Sequence, residues 1–477
     1  MIEPSNDNKG KKTTVLFSVQ THGVSDEEND SSLLELRRLV KTMGLNVVAT
    51  LSQRRSKPET GTLLGAGKLK ELAGYTGGTG IVEGFSRKSP DKTNNDETDD
   101  DEARDNMDEE YPAGSLTGSD EERSNDNPMA KNSVQANVVV YDGEISTKQL
   151  KNLEQATGVE VLDRTGVILE IFSRHAKSRE ALIQVEIAKL AYLAPRLRAS
   201  HVGGDRQGGT LRSKGSGESS HELDKRRIRD RITELKLRLV GIRKEQDRRR
   251  SRRRENLQVS LVGYTNAGKS SLMRKLTGSD VLVQDKLFAT LDTRVKSMQP
   301  DVFPPILVSD TVGFIKKLPH DLVASFQSTL DEALAASLLL FMVDASDPAF
   351  RSQLAVTQSV LKEIGGEEIP SRIVLNKIDK LTAGELEALN REFPDGIFIS
   401  AHNLEDVAFL RKKILEYFES NMIETTMVIP YDKGHLLGQL RNKAGIINES
   451  YDETGTEVTF KTFPETLTWL QKKMDLN

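Results

Sequence analysis

The chain has 477 residues, 36% apolar and 29% charged, with a net charge of −5. That length predicts two to four domains, and that charge density excludes a polytopic membrane protein; the longest uncharged apolar stretch, around Leu338 to Val343, is strand-sized. There is no cysteine, which excludes disulfides, thiol catalysis and cysteine zinc sites.

Residues 1–12 read as a flexible N-terminus. They lack a long apolar segment and a small-residue cleavage site, so no secretory signal is expected. A cytoplasmic protein follows, with peripheral membrane association left open and stable membrane insertion not expected. From residue 13, the apolar strands TTVLFSV and GLNVVATLS flank a helical SLLELRRLVKTM. Residues 85–134 predict a disordered acidic insert, since 91–126 hold 15 Asp/Glu against 3 Lys/Arg. Beyond it, NVVVYD reads as a strand, ISTKQLKNLEQAT as a helix and VEVLDR as a strand, with turn and cap chemistry between Asp142 and Ser146. Together 13–177 make an N-terminal α/β domain.

Residues 178–255 predict an antiparallel helical hairpin. Ile183, Ile187 and Leu190 recur at helical spacing, and Ile228, Ile232, Leu235, Leu239 and Ile242 recur every four, three, four and three residues. The second helix, 222–254, is basic: 225–254 hold 15 Lys/Arg against 4 Asp/Glu. Such a face suits RNA phosphate, although a solvated face paired with the protein's own acids is the bland alternative. Between the helices, about 202–220, lies a Gly-rich loop that is either functional or a plain connector.

From 256 to 420 the strands LQVSLVG, PILVSDT, SLLLFMVD, RIVLNK and GIFISA alternate with helix-length segments, which predicts a doubly wound α/β sheet. The first strand runs into GYTNAGKSS, that is Gly263, Tyr264, Thr265, Asn266, Ala267, Gly268, Lys269, Ser270 and Ser271. This is the phosphate-binding P-loop pattern. Glycines let successive N–H groups face phosphate oxygens, Lys269 neutralises β/γ-phosphate charge, and the Ser270 hydroxyl suits Mg²⁺. DTVGF supplies Asp310, Thr311, Val312 and Gly313; Asp310 can hold Mg²⁺ through a water, and the Gly313 N–H can bond a γ-phosphate. NKID supplies Asn376, Lys377 and Asp379, whose buried carboxylate would select guanine over adenine. Ser400 and Ala401 follow, with the Ala401 N–H toward guanine O6. In LFATLDT, Phe288, Ala289 and Thr290 flank the nucleotide; Thr290 is favoured over Thr293 as a second Mg²⁺ ligand. Lys269, Thr290 and Gly313 are the expected catalytic set. Phe314 stands where some GTPases place a water-orienting Gln, so either hydrolysis is slow until a partner completes the site or Phe314 merely packs. Residues 425–477 predict a small α+β C-terminal domain, with strands around MVIPYD and EVTFKTF.

These residues resemble the HflX family of ribosome-associated P-loop GTPases, within the TRAFAC class and Obg–HflX superfamily. The segments LFATLD, DTVGFIKKLPHDLVASFQSTLDEA, LLGAGKLKEL, ISTKQLKNLEQATGVEVLDRTGVILEIFSRHA and QVEIAKLAYLAPRL carry the resemblance. It implies Mg²⁺·GTP hydrolysis, a monomer when free, and binding to the large ribosomal subunit through the basic helix and Gly-rich loop. It also implies splitting of stalled or idle ribosomes under stress. Maturation of the large subunit without splitting is the alternative, and a switch with protein effectors a third. The acidic insert, Ser216 in the Gly-rich loop and Thr293 depart from the family pattern, and His320 reads as structural or ribosome-contacting.

Overall fold

The structure, a computed structural model, describes residues 12–82, 135–196, 220–253, 257–278, 287–288, 294–300, 302, 304–316 and 327–475. The acidic insert and nearly all of the Gly-rich loop lie outside them. The first domain is a parallel sheet of β1 (Thr13–Gln20), β2 (Asn46–Arg54), β3 (Val138–Tyr141) and β4 (Glu160–Asp163), in the order β2-β1-β3-β4. It is accompanied by α1 (Asp26–Thr42), α2 (Ala66–Thr76), α3 (Thr147–Thr157) and α4 (Arg164–His175). Local chemistry starts these helices. Ser25 accepts the Glu28 N–H at the head of α1, and Ser146 with Gln149 closes a capping box on α3. Side chains alternate across β1: Leu16 joins Leu36 and Leu39 of α1 on one face, while Val15 and Phe17 join Leu72 and Leu153 on the other.

Next come α5 (Arg179–Leu193) and the 34-residue α6 (Ser220–Arg253). They pack through Ile187, Leu235 and Leu239, with Ile183, Leu190 and Ile232 at the margin. The heptad spacing on α6 therefore faces α5.

The nucleotide-binding region holds β5 (Leu257–Gly263), α7 (Lys269–Thr277), β6 (Arg294–Ser297), β7 (Ile306–Asp310), α8 (Gln327–Leu334), β8 (Leu338–Asp344), α9 (Phe350–Glu363), β9 (Ser371–Asn376), α10 (Ala383–Glu392), β10 (Ile397–Ile399) and α11 (Leu404–Glu419). The sheet order is β10-β9-β8-β5-β7-β6. Five of these strands correspond to the apolar runs read from the sequence. The sixth, β6, runs antiparallel to β7 at the edge, and its sequence RVKS has no apolar run to betray it. The C-terminal domain is an antiparallel sheet of β11 (Ile423–Ile429), β12 (Gly445–Asp452) and β13 (Gly455–Thr462), with α12 (Gly434–Lys443) and α13 (Pro464–Asp475). Here β12 was not anticipated, because the segment GIINESYD carries polar side chains along most of its length. Among the described residues no helix is long and apolar enough to cross a membrane.

One hydrophobic cluster runs from the first domain into the nucleotide-binding region. It joins Leu36, Val167, Ile168 and Phe172 to Tyr264, Leu287, Phe288, Val312, Phe314 and Ile315. The first domain is thus packed on the segments that surround the P-loop.

Candidate nucleotide-binding site

Strand β5 ends at Gly263, and the chain loops through Gly268 into α7. Gly263 and Gly268 have φ of 151° and 97°. A Cβ on Gly263 would lie 2.2 Å from the Met342 carbonyl oxygen, and one on Gly268 would lie 2.1 Å from Asn376 Nδ2. Only glycine fits either place. Asn266 is exposed at the loop's crest, and Ala267 is buried beneath it. Lys269 is buried, and its Nζ donates to the Gly263 and Tyr264 carbonyls at 3.0 and 2.8 Å. Burial pulls its pKa down to about 8, opposed by the charge of Asp310. Ser270 Oγ donates to Asp310 Oδ2 at 2.7 Å, and Ser271 is half-buried in the first turn of α7. Two hard oxygen ligands, Ser270 in the first turn of α7 and Asp310 at the end of β7, match the ligand chemistry of Mg²⁺.

Asp310 ends β7. Thr311 next to it donates to the Leu261 carbonyl at 2.8 Å. The chain then lies against the P-loop: the Phe314 N–H donates to Gly263 O at 3.1 Å, and the Thr265 N–H donates to Phe314 O at 2.9 Å. Val312 is buried beside them. A Cβ on Gly313 would meet Thr265 Cα at 2.8 Å, so the approach of the two segments requires glycine. Phe314 is 3% exposed and its ring packs in the core.

Asn376 ties two loops together. Its Nδ2 donates to Ala267 O at 2.8 Å, and its Oδ1 accepts the Ala401 N–H at 2.9 Å. That amide was expected to face a guanine O6, and here it is engaged by Asn376. Ser400 donates its N–H to Asp406 Oδ2 at 2.7 Å. Lys377, at φ 66°, donates to Asp344 Oδ2 at 2.7 Å. Asp379 was expected to be buried; it lies exposed in a short 3-10 turn, Ile378–Lys380, because the chain turns at Lys377, φ 66°, just past the buried end of β9.

Phe288 was expected beside the nucleotide, and its ring meets Phe172 of α4 edge-on, with centroids 4.6 Å apart. The Tyr264 side chain turns toward the first domain, where its hydroxyl donates to Glu35. Ala289, Thr290, Thr293 and His320 lie outside the described residues.

A cavity of about 520 Å³ opens beside the loop, lined by Arg38, Lys41, Asn266, Asp344, Lys377 and Lys380 among others. Arg38 and Lys41 come from α1, and Arg38 is 3.4 Å from Asp347. Sequence reading missed both, since a basic residue on an amphipathic helix carries no motif. Asp344, at the end of β8, carried the usual signal of a polar residue closing an apolar strand and went unused. Among the described residues no group of three or more His, Cys, Asp or Glu could hold a metal by itself.

The comparisons reach across the chain. Residues 30–82 and 121–173 match the family described as GTP-binding GTPase N-terminal, 175–253 the GTP-binding GTPase middle region, and 258–377 the 50S ribosome-binding GTPase. A GTPase HflX of Gluconacetobacter diazotrophicus is 51% identical over 460 residues, covering 96% of this chain and 97% of that one. A GTPase HflX of Alkalihalophilus pseudofirmus is 35% identical, covering 90% and 88%. That of Escherichia coli is 37% identical, covering 67% and 76%. A relative half identical from end to end, together with a P-loop built on this geometry, places the chain in the HflX family as a protein that binds and hydrolyses GTP.

Proposed function

We propose that this GTPase associates with the large ribosomal subunit and uses GTP to dissociate stalled or idle ribosomes in the cytoplasm. The observation that carries the reading is the basic helix α6, rigidly joined to α5 beside the first domain, with Arg226, Arg227 and Arg229 exposed near its start. Exposed guanidinium groups on a rigid rod are suited to rRNA phosphate. Part of the helix serves the protein itself: Arg231 bonds Glu186 at 2.8 Å, and Arg238 pairs with Glu234 at 2.5 Å.

Within the site, the amides of 264–271 and the Lys269 ammonium cradle the phosphates. Ser270, Asp310 through a water, and Thr290 would hold Mg²⁺, which when bound would neutralise charge on the β- and γ-phosphates. The Gly313 N–H faces the γ-phosphate, and Asp379 closes on the guanine edge. Asn376 keeps the P-loop and the Ser400–Ala401 turn in register. Hydrolysis then releases the factor.

A sucrose gradient of intact ribosomes with the full chain tests this. Free subunits should accumulate with GTP and also with a non-hydrolysable analogue. Binding to the large subunit without splitting would point to subunit maturation, and no binding at physiological salt would point to protein effectors.

A further inference from the structure

The Tyr264 hydroxyl stands between two domains. It donates to Glu35 Oε1 of α1 and accepts the Lys316 N–H at 2.5 Å. The other Glu35 oxygen is paired with Arg164, whose Nη1 donates to Asp142 Oδ1 at 2.6 Å. Ser32 Oγ completes the chain by donating to Asp142 Oδ2 at 2.5 Å. Arg164 is 1% exposed, Tyr264 4%, Asp142 6% and Glu35 9%. Burial first, and then the Glu35 charge, push the phenol pKa up, so the hydroxyl remains a donor at neutral pH.

Lys316 lies three residues beyond Gly313, on the segment hydrogen-bonded to the P-loop. Phe314 brings no polar side chain to a reacting water, and the main-chain groups of this segment can orient water and γ-phosphate. Main-chain groups stand where their own hydrogen bonds hold them. Thr265 and Gly263 fix one end, and the Tyr264 hydroxyl fixes the other.

We propose that Tyr264 and Glu35 are positioning residues for GTP hydrolysis: through the Lys316 amide they keep the segment after DTVGF seated on the P-loop, so that the Gly313 N–H is aligned for the γ-phosphate. A residue of the first domain thereby sets the geometry of the catalytic loop. This rests on GTP hydrolysis by the site and not on ribosome contact.

The test is phosphate release by the full chain, without ribosomes, for wild type, Tyr264→Phe, Glu35→Gln, Glu35→Ala and the Tyr264→Phe/Glu35→Ala pair. The wild-type rate reports separately on hydrolysis itself. Tyr264→Phe deletes one oxygen and should lower kcat at least about tenfold, with KM and GDP affinity held within about twofold. Glu35→Gln leaves a single acceptor oxygen for two donors, the phenol and Arg164, and should give a kcat between those of wild type and Tyr264→Phe. Glu35→Ala should match Tyr264→Phe, and the pair should fall no further. Hydrogen exchange at the Lys316 amide should quicken in Tyr264→Phe. An unchanged or raised kcat in Tyr264→Phe, a parallel loss of GDP affinity, full additivity in the pair, or unaltered exchange at Lys316 would overturn the proposal.

Discussion

Lys269 sets the first expectation at the scale of single residues. Its buried ammonium has a pKa of about 8 before nucleotide arrives. Phosphate stabilises the charged form, so binding must take up a proton wherever free Lys269 is partly neutral. GTP affinity should therefore fall as pH rises above about 8, and calorimetry in buffers of different ionisation enthalpy should record proton uptake there. Affinity independent of pH from 7 to about 9.5 would contradict this. Asp379 makes the second expectation: Asp379→Asn replaces an acceptor by a donor and should shift preference from guanine toward xanthine nucleotides, whose C2 oxygen accepts. Unaltered GTP affinity in a competition assay would remove Asp379 from the site. Gly313→Ala is the third. Its methyl would press on Thr265 Cα at 2.8 Å, which is backbone and cannot step aside. The two segments must separate, and kcat should drop about a hundredfold in phosphate-release kinetics, with GDP binding retained.

At the scale of elements, the helix pair offers a stability test. Leu235 is 1% exposed in a small cluster with Ile187 and Leu239. Leu235→Ala should cost about 2–4 kcal/mol, read from urea unfolding of the pair, while GTP affinity of the folded protein stays constant. The helix pair was legible because heptad spacing names its own buried face. The central strands were legible because parallel strands covered on both faces read as continuous apolar runs. β6 and β12 escaped for the converse reason: one is a short edge strand and the other a largely polar one, so neither carries an apolar run.

At the scale of the molecule, the first domain and the nucleotide-binding region share one hydrophobic cluster, and the Tyr264 hydroxyl reaches the first domain's buried ionic chain at Glu35. Arg164→Ala would leave Glu35 and Asp142 buried without their cation, and should cost about 3–5 kcal/mol. Because the cluster crosses the boundary, calorimetry should show the two regions melting together, and GTP should raise that shared transition. Two separate transitions, only one of them moved by GTP, would exclude the coupling. The motifs GYTNAGKS, DTVGF and NKID were readable along the chain because phosphate and base recognition use main-chain turns, and a turn's requirements are met by residues adjacent in sequence. The placement of Arg38 and Lys41 in the cavity beside the P-loop, of Phe288 against Phe172 and of Tyr264 on Glu35 belongs to tertiary structure alone. Those partners lie more than a hundred residues apart, and no local pattern records a distance that exists only once two domains have packed.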